Sequence, residues 1–191
     1  VAQKWRALEG GEDAETFSSG MGAISATLMA LLNQGDHMVA SADIYGGTYG
    51  LLTEEFPRFG ISTTMADMRD PASYEAAIQD NTKLLYIETL TNPVLKVCDI
   101  EAMADVAKRH NLLLLIDNTF ASPWGCKPLD MGVDLVLHST TKYLGGHSDI
   151  LGGAVVGSKD LIAQIFMRKV HFGAAPDPHS CYLLERGMRT L

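Results

Sequence analysis

Apolar residues come in short runs along this chain, at positions 37–41, 61–65, 84–87, 112–116, 135–137 and 154–156. Several of these runs lack the in/out alternation of a half-exposed strand, so they read as strands covered on both faces. Segments with helical spacing fill the intervals. One helix is expected over residues 23–32. A second is expected over 71–78, with Asp70 as N-cap and Pro71 at the first helical position. A third is expected over 100–109, capped by Asp99 and closing on basic residues. Strand and helix in repeated succession predict an α/β domain, a mostly parallel sheet with helices on both faces. No internal repeat, low-complexity stretch or linker interrupts residues 1–191, which read as one domain.

In sheets of this kind functional side chains gather at the carboxyl ends of the strands. The chemically loaded residues of this chain follow the apolar runs in the same way. Glu88 follows the run at 84–87, Asp117 follows 112–116, and His138-Ser139-Thr140-Thr141-Lys142 follows 135–137. Three polar clusters at three strand ends are therefore expected to meet on one edge of the sheet.

Composition narrows the classes without choosing among them. The chain has 191 residues, 47% of them hydrophobic and 20% charged, as in ordinary globular domains. A formal net charge of −8 argues against nucleic acid as a partner, since a polyphosphate backbone wants a basic face. No apolar run approaches the roughly 18–20 residues that span a bilayer, so no membrane is expected. Residues 1–6 lack the apolar core of a secretory signal. Cys98, Cys126 and Cys181 are few and widely spaced, which reads as reduced thiols in a cytoplasmic protein with no metal site. Cys98 reads as a partly buried structural thiol.

Lys142 is the first candidate for chemistry. It stands shortly after a buried strand, amid hydroxyl residues and before Gly145-Gly146, a setting poorly suited to a solvated lysine. A lysine amine can condense with an aldehyde, and pyridoxal 5'-phosphate (PLP) is the commonest aldehyde cofactor. The plain alternative is a lysine snorkelling at a strand end. Asp117 tips the balance, because a PLP site needs a carboxylate against the pyridine nitrogen. At the end of a strongly apolar strand such a charge is costly unless a cation pairs with it; a turn aspartate before Asn118-Thr119 is the alternative. Ser18-Ser19-Gly20-Met21-Gly22 lies just before a helix, where free N–H groups and the positive helix end attract an anion. Ser139 and Thr141 add hydroxyls beside Lys142. Tyr45, followed by Gly46-Gly47, suits an aromatic face brought close to a flat ligand; a turn tyrosine packing on the surface is the alternative.

Two other motifs fail on their context. Ser139-Thr140-Thr141-Lys142 fits the S-x-x-K of penicillin-binding proteins, but Ser148-Asp149-Ile150 breaks the accompanying S-D-N and no Lys-Thr-Gly occurs. Gly20-x-Gly22-x-x-Ser25, with Asp43 further on, approximates a dinucleotide fingerprint that has lost its third glycine. That fingerprint should follow a clear strand, and Glu15-Thr16-Phe17-Ser18 is a poor one.

With these residues assembled, the chain resembles the γ-family of PLP enzymes of cysteine and methionine metabolism: cystathionine γ-synthase and γ-lyase, methionine γ-lyase and O-acetylhomoserine sulfhydrylase. Residues 134–148 look like that family's lysine-attachment signature throughout. Phe17-Ser18-Ser19-Gly20-Met21, Tyr45-Gly46-Gly47-Thr48, Glu88-Thr89-Leu90-Thr91-Asn92-Pro93 and Asp117-Asn118-Thr119 match in order and spacing. The resemblance implies an aspartate-aminotransferase-type (fold type I) PLP large domain and a homotetramer built as a dimer of dimers. It implies Lys142 as the covalent attachment point and the base at the substrate's α-carbon, and Asp117 at the pyridine nitrogen. Tyr45 would stack on the ring and move protons at the leaving group. Ser19, Gly20, Met21, Ser139 and Thr141 would hold the phosphate, Asn92 would lie by the ring oxygen, and Glu88 would support them.

The same resemblance marks departures. Family chains start earlier and run on, so residues 1–191 read as a segment without the N-terminal arm and the C-terminal small domain. The arginine that clamps the substrate carboxylate has no candidate here, and another residue type does not readily replace a bidentate clamp. Weak cofactor binding and poor turnover are expected of the segment alone. Methionine γ-lyases typically carry cysteine at the position of Gly47, which lowers that option. The expected reaction is C–S cleavage of the γ-substituent of a small sulfur amino acid. γ-Replacement, as in O-acetylhomoserine sulfhydrylase or cystathionine γ-synthase, is the alternative, and a non-catalytic PLP-fold binding module a remote one.

Overall fold

The computed structural model describes residues 1–191. Seven strands form one sheet: β1 (Asp13–Phe17), β2 (His37–Ser41), β3 (Ser62–Ala66), β4 (Thr82–Glu88), β5 (Leu113–Asp117), β6 (Leu135–Ser139) and β7 (Gly153–Gly157). Their spatial order is β1-β7-β6-β5-β4-β2-β3. The pairs from β6 through β3 are parallel, and β7 runs antiparallel to both β6 and β1. Eight α-helices accompany the sheet: α1 (Ala2–Glu9), α2 (Gly20–Leu31), α3 (Gly46–Gly50), α4 (Pro71–Ala77), α5 (Ile100–Arg109), α6 (Ser122–Gly125), α7 (Lys159–Phe172) and α8 (Pro178–Gly187).

The six apolar runs all become strands, shifted by a residue or two at their ends. β2 and β7 are buried at every position, as runs without alternation require. Helix caps behave as their residue types dictate. The Asp70 carboxylate accepts from Ala72 N at 3.1 Å and that of Asp99 from Ala102 N at 3.1 Å. α2 starts three residues earlier than its apolar spacing implies, because Ser19 caps it and accepts from Gly22 N at 2.9 Å.

β1 is a correction. Its five residues, with two buried side chains, make a poor strand in isolation. It forms because every residue from Asp13 to Phe17 pairs with β7, from Gly157 back to Gly153. The case against a dinucleotide site therefore rests on different ground. β1 and β2 stand at nearly opposite sides of the sheet rather than side by side as a βαβ unit requires. Asp43 is moreover paired with Lys96.

Side chains alternate along each strand, and the two faces bury separate cores. On the first face α2 and α7 cover Leu84, Tyr86, Leu115, Leu135, Leu137 and Val155. On the second, α4 and α5 cover Leu85, Ile87, Leu114, Ile116 and Val136. Toward β7 that second face continues as a smaller core that includes Trp5 of α1 and Leu184 of α8. No helix is long and apolar enough to cross a membrane. Cys98 is buried against the second core, and burial pushes its thiol up to about 12, which makes it a packing residue.

Candidate active site

The alternation that builds the core also decides where the polar strand ends point. Glu88, Asp117 and Ser139 are in phase with Tyr86, Leu115 and Leu137, so all three project on the first face, toward α2. Their strands are adjacent, with Glu88 opposite Asp117 and Asp117 opposite Leu137. A cavity of about 860 Å³ opens at this edge. Ser19, Gly20, Met21, Tyr45, Glu88, Asn92, Asp117, Ser139, Thr141 and Lys142 all line it. The structure thus brings together every site residue expected from the sequence.

Each wall has a local cause. Gly20 and Met21 open α2, and the N–H groups of a first helical turn have no carbonyl one turn earlier to bond. The helix end lies tight against β6: a Cβ on Gly20 would stand 2.8 Å from Ser139 Cβ, so only glycine allows the approach. Lys142 sits in the turn after β6, which Lys142 N–H→Ser139 O (3.2 Å) and Gly146 N–H→Lys142 O (2.8 Å) close. Thr141 Oγ1 accepts from Gly152 N at 3.0 Å at the cavity wall. Tyr45 ends the loop after β2; its N–H donates to Glu88 Oε1 at 2.8 Å and its side chain stays half exposed. Its ring lies over Gly47, where a Cβ would approach Tyr45 Cε1 to 2.5 Å. Asn92 lies on the exposed loop after β4.

Thr119 is a residue whose part the sequence reading missed. Its N–H donates to Asp117 Oδ1 at 3.0 Å, its hydroxyl donates to the same oxygen, and its Oγ1 accepts from Ser139 N at 2.7 Å. One threonine so ties the carboxylate to the strand that leads to Lys142. An aspartate followed two residues later by threonine is the available signal, since Asp side chains commonly bond the N–H two positions on.

Electrostatically the edge is incomplete. Burial lifts the Glu88 carboxyl to about 8; the charge of Asp117 adds to the rise, and the Tyr45 N–H partly opposes it. Burial also raises Asp117, offset in part by the Thr119 hydrogen bonds and by His138. Two adjacent carboxyls in low dielectric resist ionising together, and a cation beside them would relieve both.

The site fits PLP on its own chemistry. The cavity lies within the roughly 300–1,000 Å³ usual for small-ligand sites. Its wall offers an amine, a carboxylate that lacks a cation, and a glycine-opened helix N-terminus flanked by hydroxyls, which is the donor set a phosphorylated pyridine aldehyde requires. Fold and site together define a fold-type-I PLP large domain.

Comparison with known proteins names the family within that class. The family model for Cys/Met metabolism PLP-dependent enzymes matches residues 1–191. Cystathionine gamma-lyase of Bacillus subtilis (strain 168) is 49% identical over 185 residues, 96% of this chain and 48% of the relative. A probable cystathionine gamma-synthase of Herpetosiphon aurantiacus is 47% identical over 186 residues, 97% of this chain and 58% of the relative. The crystal structure of cystathionine gamma-lyase from Lactobacillus plantarum complexed with L-serine superposes with a TM-score of 0.94 at 45% identity, covering 97% of this chain and 49% of that one. The chain belongs to the Cys/Met-metabolism PLP-dependent enzyme family, whose cofactor is PLP. It spans about half the length of the curated relatives it matches.

Proposed function

We propose that residues 1–191 form the PLP-binding large domain of an enzyme that cleaves the γ-substituent from a sulfur amino acid. The observation that carries this reading is the convergence of Lys142, Asp117 and the amino end of α2 on one cavity. Lys142 Nζ holds the cofactor covalently. Thr119 engages Asp117 through Oδ1, which leaves Oδ2 available to pair with a pyridine nitrogen. The N–H groups of Gly20 and Met21, with the hydroxyls of Ser19, Ser139 and Thr141, hold the phosphate. Asn92 would serve the ring oxygen, and Glu88 supports the site by holding the Tyr45 backbone.

Bound there, the cofactor supplies a cationic aromatic ring that accepts electrons from the substrate's α-carbon. The remaining work belongs to this chain. Lys142 Nζ would take the α-proton of the substrate and, in a further proton shift, a β-proton, whose C–H electron pair expels the γ-sulfur. Asp117 would keep the ring nitrogen protonated, and Tyr45, fixed by its backbone bond to Glu88, would offer its aromatic face to the ring. The Tyr45 hydroxyl gives a proton to the departing sulfur.

A γ-replacement reading, in which an incoming nucleophile takes the place of the leaving group, is favoured by the 47% identity to a probable cystathionine gamma-synthase. Lys142→Ala in the full-length enzyme tests the common core: loss of the visible band of lysine-bound cofactor and of turnover is expected, and full retained turnover rejects the assignment. Product analysis with cystathionine, methionine, and O-acetylhomoserine plus sulfide separates cleavage from replacement.

A further inference from the structure

Behind the carboxyl edge, on the second face of the sheet, lies a buried polar cluster that none of the steps above uses. Glu9 closes α1 and His138 belongs to β6, and both side chains are 0% exposed. One carboxylate oxygen of Glu9, Oε1, accepts from His138 Nε2 and also from Asn118 Nδ2 at 3.1 Å. A carboxylate only accepts, so Nε2 carries the imidazole proton in this pair. Asn118 is held on every side. Its amide donates to Cys126 O at 3.0 Å, its Oδ1 accepts from Thr89 Oγ1 at 2.7 Å, and its N–H reaches Leu137 O at 2.9 Å. Trp5, one turn earlier on α1, stacks on His138 with ring centroids 6.4 Å apart.

Stability alone does not account for this arrangement. Glu9 Oε2, His138 Nδ1 and Trp5 Nε1 are buried without a protein partner, a cost that an apolar core avoids. The neighbours of the two residues held by Glu9 explain it. Asn118 directly follows Asp117, and His138 directly precedes Ser139 in the strand that leads to Lys142. Successive side chains of extended chain point to opposite faces, so pinning Asn118 and His138 on one face fixes how Asp117 and Ser139 project on the other.

We propose that Glu9 is a positioning residue of the cofactor site: its buried carboxylate, bridging Asn118 and His138, sets the spacing and direction of Asp117 and Ser139. The proposal rests on the PLP reading above for what those two residues hold. Glu9 touches neither cofactor nor substrate. It acts through two strand ends that the chain brings to it across 109 and 129 residues.

The test uses the full-length enzyme with Glu9→Ala and Glu9→Gln. His37→Gln, at the opposite edge of the sheet, serves as a control for plain loss of a buried polar contact. Glu9→Ala is expected to lose about tenfold or more in cofactor affinity, the scale of a lost charged hydrogen bond. It also alters the induced circular dichroism of the bound cofactor and speeds amide hydrogen exchange at residues 117–119 and 139–142 in the cofactor-free protein. Glu9→Gln keeps an acceptor for both donors and recovers most of the affinity. A Glu9→Ala enzyme that melts earlier but keeps wild-type affinity, dichroism and exchange at those residues overturns the proposal. Should Glu9→Ala fail to fold, His138→Asn removes one arm of the bridge and is read in the same way. Exchange is measured without cofactor, so it decides the role of Glu9 even if the wild-type enzyme forms no visible band, a result that overturns the PLP reading alone.

Discussion

His37, buried at the amino end of β2, and Asp117, half-buried at the carboxyl end of β5, are ionisable side chains whose pKa the same sheet shifts by desolvation. His37 has a partner for each ring nitrogen: Thr82 Oγ1 lies 2.8 Å from Nδ1 and Thr64 Oγ1 2.9 Å from Nε2. Burial lowers its pKa, so the ring stays neutral and its hydrogen bonds suffice. Asp117 has hydrogen bonds to one oxygen only and sits opposite Glu88, a second carboxyl raised by burial. The amino edge is satisfied by the protein itself, whereas the carboxyl edge is left in want of a positive charge. Buried polarity is thus common to both ends, and unmet electrostatic demand separates the ligand site from the scaffold.

Substitutions sharpen or break that contrast. The largest effect is expected from Asp117→Asn, which keeps the shape and the Thr119 contacts but removes the charge. Loss of the cation's partner should weaken cofactor binding by about a hundredfold, read by titration of the visible band. Unchanged affinity would mean that the carboxyl edge is no more than a scaffold.

Next comes Glu88→Gln. The folded chain keeps the Glu88 proton up to about pH 8, whereas the unfolded chain gives it up near the ordinary glutamate value. The cofactor-free protein should therefore lose stability as pH rises between those limits, by roughly a few kcal/mol. Glu88→Gln should flatten that slope in urea melts and stabilise the protein above pH 8. A wild-type curve already flat across this window would remove the carboxyl pair from the account.

His37→Gln should cost about 1–3 kcal/mol through its stranded threonine partners and leave cofactor affinity unchanged. The sign of its pH dependence is opposite to that of Glu88. The folded chain keeps His37 neutral while the unfolded chain takes up a proton, so its contribution is complete above about pH 6.5 and lost as pH falls below it. Smallest of all, Ser19→Ala should remove the α2 cap for about 1 kcal/mol of stability, with a modest loss of phosphate affinity checked with inorganic phosphate.

Much of the candidate site was legible because its parts are local. An apolar run that stops at Glu88, Asp117 or His138-Ser139 announces both a buried strand and its loaded end, and the spacing of those ends matches a known family along the whole chain. The strand at 13–17 was not legible. Its residues carry no strand pattern of their own, and its pairing partner lies far along the chain, from Phe17↔Gly153 to Asp13↔Gly157. The bridging part of Thr119 was hidden for a similar reason, since the N–H it accepts belongs to Ser139 on the next strand. Glu9 gave no signal at all: a glutamate ending a short polar helix looks solvated, and only the sheet's second face buries it.

The order of amino acids alone settled which polar residues close β4, β5 and β6, the Asp70 and Asp99 caps and the motif around Lys142, because these depend on neighbours within a few positions. Tertiary structure decided that β4, β5 and β6 lie side by side, that Glu88, Asp117 and Ser139 face the same way, and that the carboxyls of Glu88 and Asp117 are held above their ordinary values. Adjacency of distant strands and the loss of water around a charge arise only when the chain is packed, so no local pattern encodes them.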